Sequence, residues 1–239
     1  ARHPDWLGPD DLAVKIEQLR EATDWRIPVH VKLGACRVDD DVKLAAKAGA
    51  DAIVIDSMVA GTGASAEVLI EHSGIPTVPA IVMAREALRE LGLYGKVTLI
   101  ASGGIRHGAD AAKALALGAD AVAIGTAGLI ALNCNKEIPE SDFESEVGVP
   151  AGFCHHCHTG KCPVGIATQN PELTKRLDPD EAAERVANFL NSMTMEMALL
   201  TRSLGKSDVH SLEPEDLAAL TIEASAMARV PLVGTNKVY

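Results

Sequence analysis

The sequence predicts an α/β chain: the C-terminal half of a (β/α)8 TIM barrel, followed by a cysteine-bearing loop and C-terminal helices. The 239 residues are 47% hydrophobic but only 3% aromatic, so Ala, Val, Ile and Leu must build the core. That usage suits parallel strands buried under helices. A helix end, Gly-Ala-Asp and an aliphatic strand occur twice, in Lys47 to Asp56 and in Ala116 to Gly125, as repeated β/α units require. Glycine-containing loops leave the last two predicted strands, where barrels of this kind commonly bind phosphate.

The elements follow in order. Asp10 to Arg20 reads as an amphipathic helix, with Leu12, Ile16 and Leu19 on one face and Asp10 or Asp11 as its cap. Ile27-Pro28 stops it, and Val29 to Leu33 forms a strand. A helix over 39–48 ends at Gly49, and Ala52 to Asp56 is a nearly apolar strand. Glu67 to Glu71 is helical, as is Arg85 to Leu91 after the Ile75-Pro76 turn. Strand Val97 to Ala101, helix Ala109 to Leu117 and strand Ala121 to Ile124 complete the series. Glycine after a helix and before a buried strand fits the left-handed end of an αβ connection. Residues 133–163 are polar, rich in Gly, Pro, Cys and His, and without periodicity, whereas helices return over 179–204 and 213–227 and pack outside the barrel. The expected organisation is half a barrel over 1–132, a cysteine segment over 133–170 and a helical segment over 171–239. Four strands cannot close an eight-stranded barrel, so their edges should pair with strands from the same or another polypeptide.

A net charge of −11 argues against nucleic acid and anionic membranes as partners. No apolar run approaches the ~20 residues of a membrane span. The start Ala1-Arg2-His3-Pro4 has no signal-peptide pattern and no Met, so it reads as an internal start, and the expected compartment is cytoplasmic.

Ala101-Ser102-Gly103-Gly104-Ile105 and Ile124-Gly125-Thr126-Ala127 are the two phosphate-loop candidates. Small residues let backbone N–H groups approach an anion, and a following helix N-terminus adds a favourable dipole. The expected contacts are the N–H groups of Gly103, Gly104, Gly125 and Thr126 with the Ser102 hydroxyl; tight αβ packing without a ligand is the bland alternative. Gly61-Thr62-Gly63-Ala64-Ser65 is a further backbone nest at the same mouth, or only a loop. Lys32 lies within an otherwise apolar strand, and a buried lysine is expensive without an anion. It is expected to point into the barrel, against a flavin pyrimidine edge or a substrate carboxylate, a snorkelling edge lysine being the alternative.

Cys154, Cys157 and Cys162 fall within nine residues. Thiolates that close suit zinc or an iron–sulfur cluster, and the Cys162-Pro163 ending favours the cluster. Non-flavin phosphate-binding barrels with structural zinc therefore remain a rival class.

Thr159-Gly160-Lys161-Cys162-Pro163-Val164-Gly165-Ile166-Ala167-Thr168-Gln169 resembles the cluster loop of glutamate synthase large subunits. Gly61 to Ser65 resembles that family's barrel loop, Lys32-Leu33 the start of its flavin-contacting strand, and Asp216 to Thr221 the tails of its short, archaeal-type members. The resemblance implies FMN, an iron–sulfur cluster and redox chemistry at the α-carbon of glutamate. By carry-over the cluster ligands are Cys134, Cys157 and Cys162, forming a 3Fe–4S cluster; local spacing instead nominates Cys154 with Cys157 and Cys162, and all four would permit 4Fe–4S. This chain departs from the family in separating Cys134 from Cys157 by 22 residues, in an acidic insertion bearing Glu137, Glu140, Asp142, Glu144 and Glu146. It also has Ala35-Cys36 where glutamate synthases carry Ser-Glu, which counts against the standard mode of 2-oxoglutarate binding. The insertion, the Cys154-His155-His156-Cys157 run and the Arg2 to Gly8 start are most similar to the flavin subunit of N-methylglutamate synthases (methylamine–glutamate N-methyltransferases). That branch implies glutamate with methylamine, in place of ammonia, and separate glutaminase-like and β-helix-like subunits as partners.

Overall fold

In the computed structural model, the described residues are 4–62, 65–134, 136–148, 154 and 156–239. Helix α1 (Pro9–Ala22) precedes strand β1 (His30–Gly34), α2 (Val38–Lys47) and β2 (Ala52–Asp56). A 3-10 turn, Met58–Ala60, leads to α3 (Glu67–His72) and α4 (Thr77–Glu90), then β3 (Thr98–Ser102), α5 (Gly108–Ala116), β4 (Ala121–Ala123) and α6 (Thr126–Ala131). Beyond these lie α7 (Glu140–Val147), α8 (Pro171–Thr174), α9 (Pro179–Ser203) and α10 (Ile222–Ala228).

The four strands pair in parallel in the order β1-β2-β3-β4. Crossovers that always advance in one direction and share one hand place every connecting helix on the same face. Accordingly α2 contacts β1 and β2, α4 contacts β2 and β3, and α5 contacts β4. Val31, Ile53, Ile55, Leu99 and Ala101 point into this layer and are buried, meeting Val42, Ile81 and Leu88 from the helices. The alternate residues face the other way: His30 and Lys32 are exposed, while Val54 and Ile100 are half-buried. An unreversed strand order with one uncovered face is an arc of a TIM-like barrel rather than a doubly wound sheet.

Local chemistry explains the boundaries. Asp51 accepts the Val29 N–H at 2.7 Å and binds Arg20 at 3.0 Å, tying α1 to the start of β1 and β2. Asp120 repeats the device two units later, accepting the Leu99 N–H at 2.7 Å. The Gly-Ala-Asp echo is therefore an interstrand clasp as well as a helix stop. Outside the barrel arc, α9 packs on α5 and α6. Its Glu196 accepts the Gly108 N–H at 2.6 Å, capping α5.

Three expectations need correction. Helix α4 begins eight residues before the expected Arg85, because Pro76 is its N-cap and Pro79 sits in a first turn that needs no N–H. Helix α7 lies within the segment taken as aperiodic; Phe143 and Val147, four apart, are buried, whereas Glu140, Asp142 and Glu144 are exposed. The helix expected over 213–227 is divided into a 3-10 turn at Pro214–Asp216, an extended stretch and α10. Lys206 pulls Glu213 and Asp216 together at 3.1 and 2.5 Å, and Ala219 bridges to Leu232, so tertiary partners override the helical pattern.

Candidate functional site

A cavity of about 760 Å³ opens beside the C-terminal ends of β3 and β4, a volume in the usual range of small-molecule sites. Its floor is Ser102-Gly103-Gly104 and Gly125-Thr126. Gly103 and Gly104 have φ of +112° and +72°, a left-handed conformation that disfavours a side chain. A Cβ on Gly103 would fall 2.1 Å from Ser57 Oγ, so the loop is packed as well as turned. Ser57 and Thr77 share a hydrogen bond of 2.7 Å, Thr77 donates to the Gly103 carbonyl at 2.8 Å, and the Ser57 N–H donates to Ser102 O at 3.0 Å. These bonds use the carbonyls. Among the described residues the N–H groups of Gly103, Gly104, Gly125 and Thr126 have no acceptor. A Cβ on Gly125 would meet nothing within 4 Å, so the space beside it is open. Unmatched backbone donors around an open volume fit an anion such as phosphate.

Ser102 plays a different part from the one expected. Its hydroxyl donates to Asp56 Oδ1 at 2.6 Å, so it can offer a ligand only lone pairs, which repel phosphate oxygens. Lys32 is likewise not a buried cation in need of an external anion. Its side chain is 60% exposed, and Nζ stands 3.1 Å from Asp56 Oδ2. The uncovered sheet face explains the exposure. Gly61 and Thr62 lie outside the cavity wall, which on this side is Val59 and Ala60. A Cβ on Gly61 would sit 2.4 Å from Ile70 Cγ1, so that glycine is required by packing against α3. Gly63 lies outside the described residues.

Several wall residues went unread in the sequence. Arg185, Asn188 and Phe189 reach the cavity from α9, and Arg106 stands at its lip. Arg185 is paired with Glu181 at 2.6 Å, and Arg106 with Asp110 at 3.5 Å. Nothing local marks the α9 residues, because they arrive from some 80 positions downstream. Asp56 did carry a signal, being the polar end of an apolar strand.

The cavity leads to the cysteines. Ile130 and Ala131 of α6 line it, and the same helix runs into Leu132-Asn133-Cys134, where the Cys134 N–H donates to Leu129 O at 3.0 Å. Burial pushes the Cys134 thiol above its usual range, and Cys157, Cys162 and Cys154 push it further. Cys157, though mostly exposed, is raised by partial desolvation of its thiol, then by Cys154 and Cys162. Cys134 thus lies in the field of the other three thiols and Cys157 in that of Cys154 and Cys162, although among the described residues no three His, Cys, Asp or Glu side chains form a single-ion shell. Mutual repulsion of thiolates is what a bound cationic centre offsets, so the donor set fits a metal group. Cys162 is buried, while Cys154 and Cys157 are exposed. The loop around Cys162 is held by Arg176, which donates to Pro163 O at 2.8 Å, and by Thr168 Oγ1, which donates to Gly160 O. His155 lies outside the described residues.

The arc of parallel strands, the unmatched backbone donors around an open volume and the nearby cysteines define a parallel α/β protein with a candidate anion site. The family model described as the conserved region in glutamate synthase matches residues 1–207, and the chain belongs to the glutamate synthase family. A glutamate synthase large subunit-like protein of Rhizobium meliloti is 55% identical over 98% of this chain and 53% of its own length. The archaeal glutamate synthase [NADPH] of Methanocaldococcus jannaschii is 44% identical over 89% of this chain and 38% of its own. An archaeal-type glutamate synthase [NADPH] of Thermotoga neapolitana is 41% identical over 89% and 39%. The chain therefore spans about half, or less, of the curated relatives it matches. Among the described residues no helix is long and apolar enough to cross a membrane.

Proposed function

We propose that this chain is the C-terminal part of an FMN- and iron–sulfur-dependent oxidoreductase subunit that forms N-methylglutamate from glutamate and methylamine. The observation that carries the cofactor reading is the cradle of unmatched N–H groups at Gly103, Gly104, Gly125 and Thr126, which would hold the FMN phosphate. Bound FMN would supply two-electron chemistry at the glutamate α-carbon, and the cluster one-electron transfer. Lys32 would face the flavin or a substrate carboxylate from the sheet's open face. Cys134, Cys157 and Cys162 would hold a 3Fe–4S cluster, with Cys154 as a fourth thiolate in the 4Fe–4S alternative. Separate glutaminase-like and β-helix-like subunits would complete a cytoplasmic assembly.

The methylamine reading rests on the acidic insertion, the Cys154 to Cys157 run and the Arg2 to Gly8 start, while Ala35-Cys36 in place of Ser-Glu counts against standard 2-oxoglutarate binding. A second reading, amination with ammonia drawn from glutamine, is favoured by the glutamate synthase names of the relatives in M. jannaschii and T. neapolitana. Isotope-labelled methylamine and amide-labelled glutamine, offered separately to the purified complex, distinguish them. Label from methylamine in N-methylglutamate supports the first reading, and label from glutamine in glutamate supports the second. An absorption spectrum without flavin or cluster bands would sink both.

A further inference from the structure

The open face of the sheet carries an ion pair whose carboxylate has two partners. Gly34, Asp56 and Ser102 form one row across β1, β2 and β3. Gly34 leaves its place in that row empty, since a Cβ there would meet nothing within 4 Å. Lys32, two residues earlier on the same face, places its ammonium 3.1 Å from Asp56 Oδ2. The other oxygen, Oδ1, accepts the Ser102 hydroxyl at 2.6 Å, and Ser102 is part of the cavity floor. One carboxylate therefore links the cavity to the cation. Lys32 has no other ion-pair or hydrogen-bond partner for its ammonium among the described residues. A long, flexible, 60% exposed lysine would otherwise sample many rotamers.

We propose that Asp56 is a positioning residue that holds Lys32 Nζ at the C-terminal mouth of the sheet, where the ammonium meets the bound flavin. This rests on the FMN reading above. It makes a prediction opposite in sign to a purely electrostatic role. If Asp56 only screened Lys32, removing its charge would make the site more positive. If Asp56 positions Lys32, removing it releases the ammonium, and the site loses positive charge where it counts.

Sulfite titration of the full-length flavoprotein reads this without turnover. Sulfite adds to oxidised flavin through its own electron pair, leaving negative charge on the ring that a nearby cation stabilises. Flavin content and sulfite affinity are measured for the wild type, Asp56→Asn, Lys32→Met and the double variant. All should retain flavin, since the cradle is untouched. Asp56→Asn and Lys32→Met should each weaken sulfite binding by roughly tenfold or more, the effect of losing a unit charge at short range. The double variant should be no weaker than Lys32→Met. Tighter or unchanged binding in Asp56→Asn, or losses that add, would overturn the proposal. Should Asp56→Asn fail to fold or lose its flavin, Asp56→Glu decides. It keeps the charge but shifts the carboxylate by one methylene, so sulfite affinity must still fall, and unchanged affinity overturns the positioning role. A wild-type protein without flavin would instead overturn the FMN reading, and this inference with it.

Discussion

Gly103→Ala tests whether the cavity floor is as tightly packed as its geometry says. The residue has φ of +112°, and a methyl group would stand 2.1 Å from Ser57 Oγ, 3.0 Å from Ala60 N and 3.1 Å from Ala60 Cβ. Holding Ala in a left-handed conformation costs about 1–2 kcal/mol. Displacing Ser57 adds about 1–3 kcal/mol of overpacking, and breaking its bond to Thr77 about 1 kcal/mol more. The sum, about 3–6 kcal/mol, is a large part of the ~5–15 kcal/mol that holds a domain together. Urea unfolding of the full-length protein should show the midpoint fall by that equivalent with an unchanged slope. Gly125→Ala is the control, because its Cβ would meet nothing within 4 Å. It should leave the midpoint of the flavin-free protein in place yet lower flavin affinity, since its methyl enters the open space beside the cradle. A loss below about 1 kcal/mol for Gly103→Ala would refute the packing argument.

Gly108→Ala should destabilise by about 1–3 kcal/mol, because its methyl would lie 2.3 Å from Met193 O and push α9 off α5; calorimetry of the variant checks it. Cys157→Ser and Cys162→Ser should each abolish the brown cluster chromophore. In EPR of the oxidised protein, Cys154→Ser should leave a 3Fe–4S signal and Cys134→Ser remove it; the reverse pattern would assign Cys154 as the ligand. Asp51 has a carboxyl held below its usual range, chiefly by the Val29 N–H and then by Arg20. Its contribution is complete above the ordinary Asp pKa of about 3.9 and is lost as pH falls through the lower folded value. Asp51→Asn should therefore flatten the acid limb of the stability–pH curve, as read by unfolding between about pH 5 and 2.

The barrel arc was legible because its signals are local. The Gly-Ala-Asp echo announces a helix end, a turn and a buried strand within ten residues, and aliphatic runs at 52–56 and 97–101 cannot hide. Gly103 and Gly104 stand at the cavity with positive φ, a conformation that selects glycine directly. What went unread depends on distant partners. Helix α7 escaped notice because its apolar content is only Phe143 and Val147 among acids. The 213–227 region carries a helical pattern, but Lys206 and the Ala219–Leu232 bridge redirect it. Ser102 was assigned to phosphate because its pairing with Asp56 spans 46 positions and shows only when β2 and β3 stand in register.

That register also bears on the proposal that the Lys32–Asp56 pair serves chemistry rather than folding. Exposed as it is here, such a pair contributes at most ~1 kcal/mol. Covering this face with the remainder of a barrel would desolvate both ions, at several kcal/mol each unless every donor and acceptor is satisfied. Stability alone would favour more residues like Val54 and Ile100, the apolar neighbours in the adjoining row. Asp56 is already matched, by Lys32 on one oxygen and Ser102 on the other. Lys32 is not: an ammonium has three donors, and one partner is in place among the described residues. Lys32 stands on the exposed face of the sheet, and Ser102, the other partner of Asp56, lines a cavity whose backbone donors have no acceptor among the described residues. Under the FMN reading proposed above, both sets of donors would suit one ligand rich in acceptors, its phosphate at Gly103 and Gly125 and its ring towards Lys32.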